Sequence, residues 1–330
     1  MTESDITPPT VLLTGSTNGI GSRVFERLIE HSKRPHLVLL ARDPSGLAKD
    51  LDTAHSRNVS ASGVLVDLSD LASVRACLEE LAAAKERGAI SPIDVAFLNA
   101  GAQFTTRRRV GAQGYELTFT VNVVAQHLLL HGLEPLLAPA AHAVVMGSST
   151  HRGKKASFNL VPDPQWRNPA AMATPMGSAS GGPRRFADER HQGGVAYATS
   201  KLALVTLAHE WAGRFASTGR RLNAYDPGLV PGTGLGRDLP GPMYWTWKHV
   251  MPAMSVLPGA TTVSNTARHA VELAMGDAFP SVNDGYVEIG RLSEADPATF
   301  TKERRDQLWE WLQAAVADFL PTGGAAGEHR

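Results

Sequence analysis

An α/β fold with a doubly wound parallel sheet is predicted by two features of this 330-residue sequence. Apolar runs such as Leu37-Val-Leu-Leu40 and Val95-Ala-Phe-Leu98 are nearly continuous, as strands covered on both faces must be. Segments with helical spacing separate these runs, and a glycine-bearing turn after the first strand opens the first helix. Strands alternating with helices imply a parallel sheet flanked on both sides.

In chain order, strands are expected at residues 10–14, 36–41, 63–67, 93–99, 142–147, 221–225 and 285–289. The first helix opens near Gly21 and carries Val24, Leu28 and Ile29 inward. Two stretches break the rhythm. Residues 150–194 hold Pro162, Pro164, Pro169, Pro175 and Pro183 with little periodicity, and read as a long irregular insertion. Residues 229–259 mix Pro and Gly with Met243, Tyr244, Trp245, Trp247, Met251 and Met254, and read as a substrate lid. Its aromatics either meet a ligand or pack an ordinary short helix. A last helix turns Leu308, Trp311, Leu312 and Val316 inward. Residues 10–320 are therefore expected to form one domain, with residues 1–9 and 321–330 as flexible ends.

Composition narrows the partners. Basic and acidic residues number 32 each, so no net charge points to nucleic acid or an acidic membrane surface, and a small-molecule substrate is expected. The single cysteine, Cys77, excludes an internal disulfide and sits in a helical apolar pattern with Val74, Leu78 and Leu81, as a buried residue would. The N-terminus is acidic without an apolar h-region, and no stretch reaches about eighteen uninterrupted apolar residues, so a cytoplasmic protein without a membrane span is expected. No metal site is expected: His127 and His131, four apart on one helix, lack a third obvious ligand and read as a packed or solvated face. The run Arg107-Arg-Arg109 reads either as solvated charge or as an attractor of anions.

Two motifs carry chemistry. In the turn Thr14-Gly-Ser-Thr-Asn-Gly-Ile-Gly21, backbone amides and the helix dipole can hold a pyrophosphate, which assigns Gly15, Ser16, Thr17, Asn18, Gly19, Ile20 and Gly21 to a dinucleotide. The second strand ends at Ala41-Arg42-Asp43, where an arginine pairs with a 2′-phosphate and so favours NADP(H) over NAD(H). Asp43 either bridges Arg42 or turns to the ribose. Asp67 with Leu68, and Asn99-Ala100-Gly101, end two further strands on the side where open parallel sheets bind ligands. Tyr197 and Lys201 lie four apart on a helix, so phenol and ammonium reach one point and the cation is expected to lower the phenol pKa.

Together these residues, with Asn122, the Ser148-Ser149 pair and Pro227-Gly228, resemble the short-chain dehydrogenase/reductase family, all in family order. The resemblance implies a Rossmann-type fold, Tyr197 as general acid/base, and Lys201 binding the nicotinamide ribose. It further implies Ser149, by its spacing to Gly153, polarising the substrate oxygen, and Asn122 holding a water in a proton relay. Pro227 and Gly228 would lie against the nicotinamide amide. The long gap before Tyr197 and the ending around Tyr286 look most like the light-dependent protochlorophyllide reductase branch, with retinol dehydrogenase-like members next. Leu229 stands where that reductase branch has a cysteine. Three functions follow: carbonyl–alcohol interconversion on a bulky apolar molecule, reduction of an activated C=C bond, or a dinucleotide-sensing module without chemistry. Family members often dimerise through the helices holding Asn122 and Tyr197, so a homodimer is also open.

Overall fold

The computed structural model describes residues 8–177, 186–230, 241, 245 and 259–321. The strands among them are β1 (Thr10–Thr14), β2 (His36–Ala41), β3 (Ala61–Leu65), β4 (Ile93–Leu98), β5 (Leu137–Met146), β6 (Arg221–Asp226), β7 (Tyr286–Glu288) and β8 (Arg291–Ser293). They form one sheet in the order β3-β2-β1-β4-β5-β6-β7-β8, parallel throughout except for β8, which runs back along β7. Strand order reverses at β1, whose Leu13 pairs with Leu39 of β2 on one side and Phe97 of β4 on the other. The crevice beyond the carboxyl ends of β1 and β4 is where such a sheet receives ligands.

Successive side chains of each strand enter different cores. Val11, Leu13, Leu37, Leu39, Val95 and Phe97 face helices α1 (Gly19–Ile29), α2 (Pro44–Ser56) and α8 (Val263–Ala274). Leu12, Val38, Leu40, Ala96 and Leu98 face α3 (Leu71–Glu86), α5 (Ala125–Leu133), α7 (Phe186–Ala216) and α9 (Lys302–Val316). Both faces are dry, which explains why the strands are apolar without alternation. Two more short helices are α4 (Leu117–Phe119) and α6 (Pro169–Met172), and a π-helical stretch, Thr120–Val124, joins α4 to α5. No helix among the described residues is long and apolar enough to cross a membrane.

Several boundaries differ from the sequence expectation. The third strand runs Ala61–Leu65 and ends two residues before Asp67. The fifth begins five residues early, at Leu137, and β8 carried no signal in its three residues. The insertion is shorter than 150–194, because α7 already starts at Phe186. Gly193 and Gly194, which read as loop residues, lie inside that helix where it packs closest: a Cβ on Gly193 would stand 2.3 Å from the Phe104 carbonyl, and one on Gly194 2.5 Å from Pro162. Most of the expected lid, and residues 1–7 and 322–330 of the two ends expected to be flexible, lie outside the described residues. The described flanks of the lid segment are pinned together, with the Leu229 amide donating to Gly259 and the Thr261 amide to Leu229.

Candidate active site

Helix α7 carries Tyr197 and Lys201 on its buried face at the carboxyl end of β5. Lys201 Nζ lies 5.8 Å from the Tyr197 ring centroid and donates to the Met146 carbonyl at 2.7 Å. The phenol meets a hydroxyl from the turn after β5, and that hydroxyl belongs to Ser148 rather than Ser149. Ser148 caps the 3-10 turn Ser149–Arg152 from extended backbone, and its oxygen also accepts from Thr150 Oγ1 at 3.0 Å. Ser149 is buried as the first residue of that turn. Spacing to Gly153 had pointed to Ser149; of the two, Ser148 is the one hydrogen-bonded to the phenol.

A second expectation is corrected by electrostatics. Burial pushes the Tyr197 phenol up to about 12, the bond to Ser148 opposes this, and the Asp226 charge adds to it. Burial acts on Lys201 in the opposite sense, lowering its ammonium to about 8 against the pull of Asp226. In this arrangement desolvation outweighs the cation, and Tyr197 is a firmly protonated phenol.

Asn122 lies in the π-helical stretch, where an extra residue in the turn re-aims side chains. Three bonds hold its amide: Oδ1 accepts from the Ala102 amide at 2.8 Å, while Nδ2 donates to the Ala102 carbonyl at 2.8 Å and to Ser200 Oγ at 2.9 Å. Ser200 in turn donates to the Tyr197 carbonyl at 2.7 Å. Asn122 thus ties the loop after β4 to the α7 turn that presents Tyr197, with both Nδ2 hydrogens used and one lone pair of Oδ1 remaining.

At the cofactor end the fit to a dinucleotide is local and steric. Gly15 and Gly19 have φ of 72° and 61°, and a Cβ on Gly21 would stand 1.9 Å from the Gly15 carbonyl oxygen. Asn18 occupies the N-cap of α1 without a side-chain capping bond, so the first amides of the helix are left for an anion. Asn99 Nδ2 donates to the carbonyls of Thr14 and Gly15 at 2.9 and 3.2 Å, and the Ala100 amide to Thr14 Oγ1 at 2.8 Å, fixing the turn against β4. Gly101 leaves room beside Lys201, with Nζ 3.5 Å from where its Cβ would be. Ser16 donates to Asp50 at 2.7 Å, while Thr17 packs beside Gly46 and Ile20 against the core. Asp43 accepts from the amides of Ser45 and Gly46 as the N-cap of α2, which resolves its ambiguity and leaves the exposed Arg42 as the charged group at the end of β2. Asp67 receives Ser69 at Oδ1 and precedes the buried Leu68. At the Pro227-Gly228 pair, the Pro227 carbonyl accepts from Thr266 Oγ1 and the Gly228 amide donates to Asp226.

Some groups have other duties than expected. Arg107 donates to the carbonyls of Ala171 and Thr174, Arg108 pairs with Glu189 of α7 at 3.4 Å, and Arg109 lies over Phe104, so Arg107 holds the insertion and Arg108 the start of α7. His127 and His131 pack against Trp211, a packed face. Cys77 is buried as expected, its thiol pushed up to about 12. Sequence reading missed Asp226, Tyr286, Arg152 and His151, which close around the back of the site; the one available signal was a charged residue ending an apolar strand directly before Pro227.

Comparison with known proteins agrees with this geometry. The family model for short chain dehydrogenase matches residues 9–161, the segment that holds the glycine turn, Asn122 and the serine pair. The protochlorophyllide reductase of Avena sativa is 28% identical over 235 residues, covering 69% of this chain and 73% of that protein; the same segment spans 59% of the enzymes from barley and wheat. Over that segment the chain is similar to the short-chain dehydrogenase/reductase family, and the reductases it resembles support an NAD(P)-dependent oxidoreductase. A putative daunorubicin C-13 ketoreductase, DnrU of Streptomyces sp. (strain C5), is 29% identical over 310 residues, 94% of this chain and 93% of the relative. Among solved structures, the angucycline C-6 ketoreductase LanV with bound NADP has a TM-score of 0.62 at 18% identity, over 86% of this chain and 95% of that one, a likeness of fold.

Proposed function

We propose that this protein is an NADP(H)-dependent ketoreductase acting on a bulky, mostly apolar small molecule. The observation that carries the reading is the meeting of the Tyr197 phenol with the Ser148 hydroxyl, with Lys201 buried on the same helix. Two hydroxyls at one point form a binding site for a single carbonyl oxygen. When bound, the reduced nicotinamide supplies a hydride to the carbonyl carbon. Ser148 then polarises the oxygen, and Tyr197 gives its proton to the alkoxide as negative charge develops there. An alkoxide is far more basic than a phenolate, so a phenol at about 12 still transfers its proton downhill. Lys201 stabilises the phenolate left behind, and Asn122 holds Ala102 and the Tyr197 turn in register.

NADP(H) is supported by the exposed Arg42 once Asp43 is committed to its helix cap, and by the NADP in LanV. A large apolar substrate is supported by DnrU and LanV, both ketoreductases named for polycyclic compounds, which also suggests a place in secondary metabolism. Reduction of an activated C=C bond is the second reading, favoured by the likeness to protochlorophyllide reductases. A screen of NADPH oxidation against polycyclic ketones and quinones, with product identification, separates the two: an alcohol product supports the first reading, a saturated C–C bond the second. With a substrate in hand, Tyr197→Phe should lower kcat by at least about 100-fold while leaving NADPH affinity within about twofold. Wild-type turnover by that variant would refute the assignment of Tyr197.

A further inference from the structure

The hydroxyl that meets the Tyr197 phenol has a donor of its own behind it. Ser148 Oγ accepts from Thr150 Oγ1 at 3.0 Å and, more weakly, from the Thr150 amide at 3.4 Å. Thr150 is buried in the 3-10 turn, and Ser148 Oγ is the one hydrogen-bond partner of its hydroxyl among the described residues. Proton counting then fixes the direction of the bond between the two side chains. A hydroxyl carries a single proton, and an amide only donates. Were Ser148 to give its proton to Thr150, the Thr150 proton would be buried with no acceptor, which is costly. With Thr150 donating, the lone pairs of Ser148 Oγ face the threonine and its proton points away from it, towards the phenol. The backbone beneath the serine is held as well. His151 Nδ1 donates to the Ser148 carbonyl at 2.6 Å, and His151 Nε2 accepts from the Asp296 amide at 3.0 Å, tying the turn to the segment that leads into α9.

We propose that Thr150 is a positioning residue for Ser148, its hydroxyl occupying the lone-pair side of Ser148 Oγ so that the serine proton is aimed at the substrate oxygen shared with Tyr197. The proposal rests on the reading of Ser148 as the group that polarises a carbonyl, and adds the residue that sets its direction. A free serine hydroxyl rotates among several partners and has to be ordered as charge develops on the substrate. One already locked by Thr150 needs no such reorganisation, and a donor fixed in advance where negative charge appears is worth most to the rate. Accepting from Thr150 also polarises the serine, so that its own O–H becomes the stronger donor. Both effects act on the oxygen at which charge develops and not on the carbon skeleton of the substrate, so the loss of Thr150 is felt in kcat more than in KM.

Thr150→Val keeps the branched shape and removes the donor, whereas Thr150→Ser keeps the donor and removes the methyl. With the full-length protein, NADPH and phenanthrenequinone, a polycyclic dicarbonyl, Thr150→Val should lower kcat about 5- to 30-fold with KM within about twofold. Thr150→Ser should hold kcat within about threefold of wild type. Ser148→Ala should lower kcat by at least about 100-fold, and adding Thr150→Val to it should cost less than about twofold more, because the threonine works through the serine. Full multiplication of the two losses would mean that Thr150 supports the fold without acting through Ser148, and wild-type turnover by Thr150→Val would mean that it does not act at all. Either result overturns the proposal. Should Thr150→Val fail to fold by circular dichroism, or the quinone not be reduced by the wild type, neutron diffraction from deuterium-exchanged crystals decides. A deuterium on Thr150 Oγ1 directed at Ser148 Oγ supports the proposal, and a Ser148 deuterium directed at Thr150 overturns it. If Ser148→Ala and Tyr197→Phe both keep full turnover, the functional reading fails and takes the role of Thr150 with it. If both lose turnover while Thr150→Val does not, the proposal fails alone.

Discussion

At the scale of single residues, the competition for each polar group decides what it is free to do. Arg42 and Asp43 are neighbours at the end of β2, and from sequence either could have met a ribose. The structure commits Asp43 to the amides of Ser45 and Gly46, where the dipole of α2 also favours a negative charge. Arg42 is exposed and makes no ion pair among the described residues, so it is the group available to a 2′-phosphate. Arg42→Ala should weaken NADPH binding about 10- to 100-fold, as expected for a charge-assisted pair, and leave NADH binding nearly unchanged. Fluorescence titration with both nucleotides measures the ratio, and a constant ratio would remove Arg42 from cofactor choice. The serine pair shows the limit of such reading. Sequence placed both hydroxyls next to the site, but which one faces Tyr197 depends on a single 3-10 turn that no composition or spacing announces.

At the scale of elements, the strands were legible because burial on both faces forces continuous apolar runs, and β1 and β2 match their expected bounds. The motif glycines were legible for a similar reason, since the Gly21 position excludes any side chain. The start of α7 was not. Gly193 and Gly194 have poor helix propensity and follow a proline-rich stretch, so local preference pointed to a loop, while tertiary packing against residues 104–106 and Pro162 decided for helix. Gly193→Ala tests that account against Gly213→Ala in the same helix. A methyl on Gly193 meets backbone atoms of Phe104 and Thr105 at 2.3 and 2.5 Å, whereas one on Gly213 meets nothing within 4 Å. Gly213→Ala should therefore stabilise by about 0.5–1 kcal/mol through helix propensity, and Gly193→Ala should destabilise by roughly 1–3 kcal/mol through overpacking. Urea unfolding of the two variants checks both signs, and stabilisation by both would mean the α7 start does not pack as described.

At the scale of the whole molecule, the C-terminal helix completes the core that the catalytic helix needs. Trp309 on α9 meets the rings of His127 on α5 at 4.9 Å and Trp211 on α7 at 5.3 Å, and Arg214 lies 3.8 Å above it. A dimer built on the faces of α5 and α7 would have to share them with this helix. Closing the fold in this way buries histidines as neutral rings: burial lowers His127 to about 3, and His142 and His151 each to about 4. In the unfolded chain they protonate near about 6.5, so between about pH 6.5 and 4 the unfolded state binds up to three more protons through them. Their contribution is complete above about 6.5 and is lost as pH falls. Asp226, raised to about 6, works the other way, since the folded state takes up its proton first; the raised Glu116 does the same. With each proton worth about 1.4 kcal/mol per pH unit, three against one or two leaves a net loss of roughly 1–3 kcal/mol per unit of acidification. That amounts to roughly 2.5–7.5 kcal/mol by pH 4, so a domain at the low end of the usual margin of about 5–15 kcal/mol should unfold as the pH nears about 4. Urea midpoints at pH 7, 6 and 5 measure the slope, and His142→Asn should flatten it by about one proton. Stability that held constant or rose over this range would show that these rings are not buried in the neutral form.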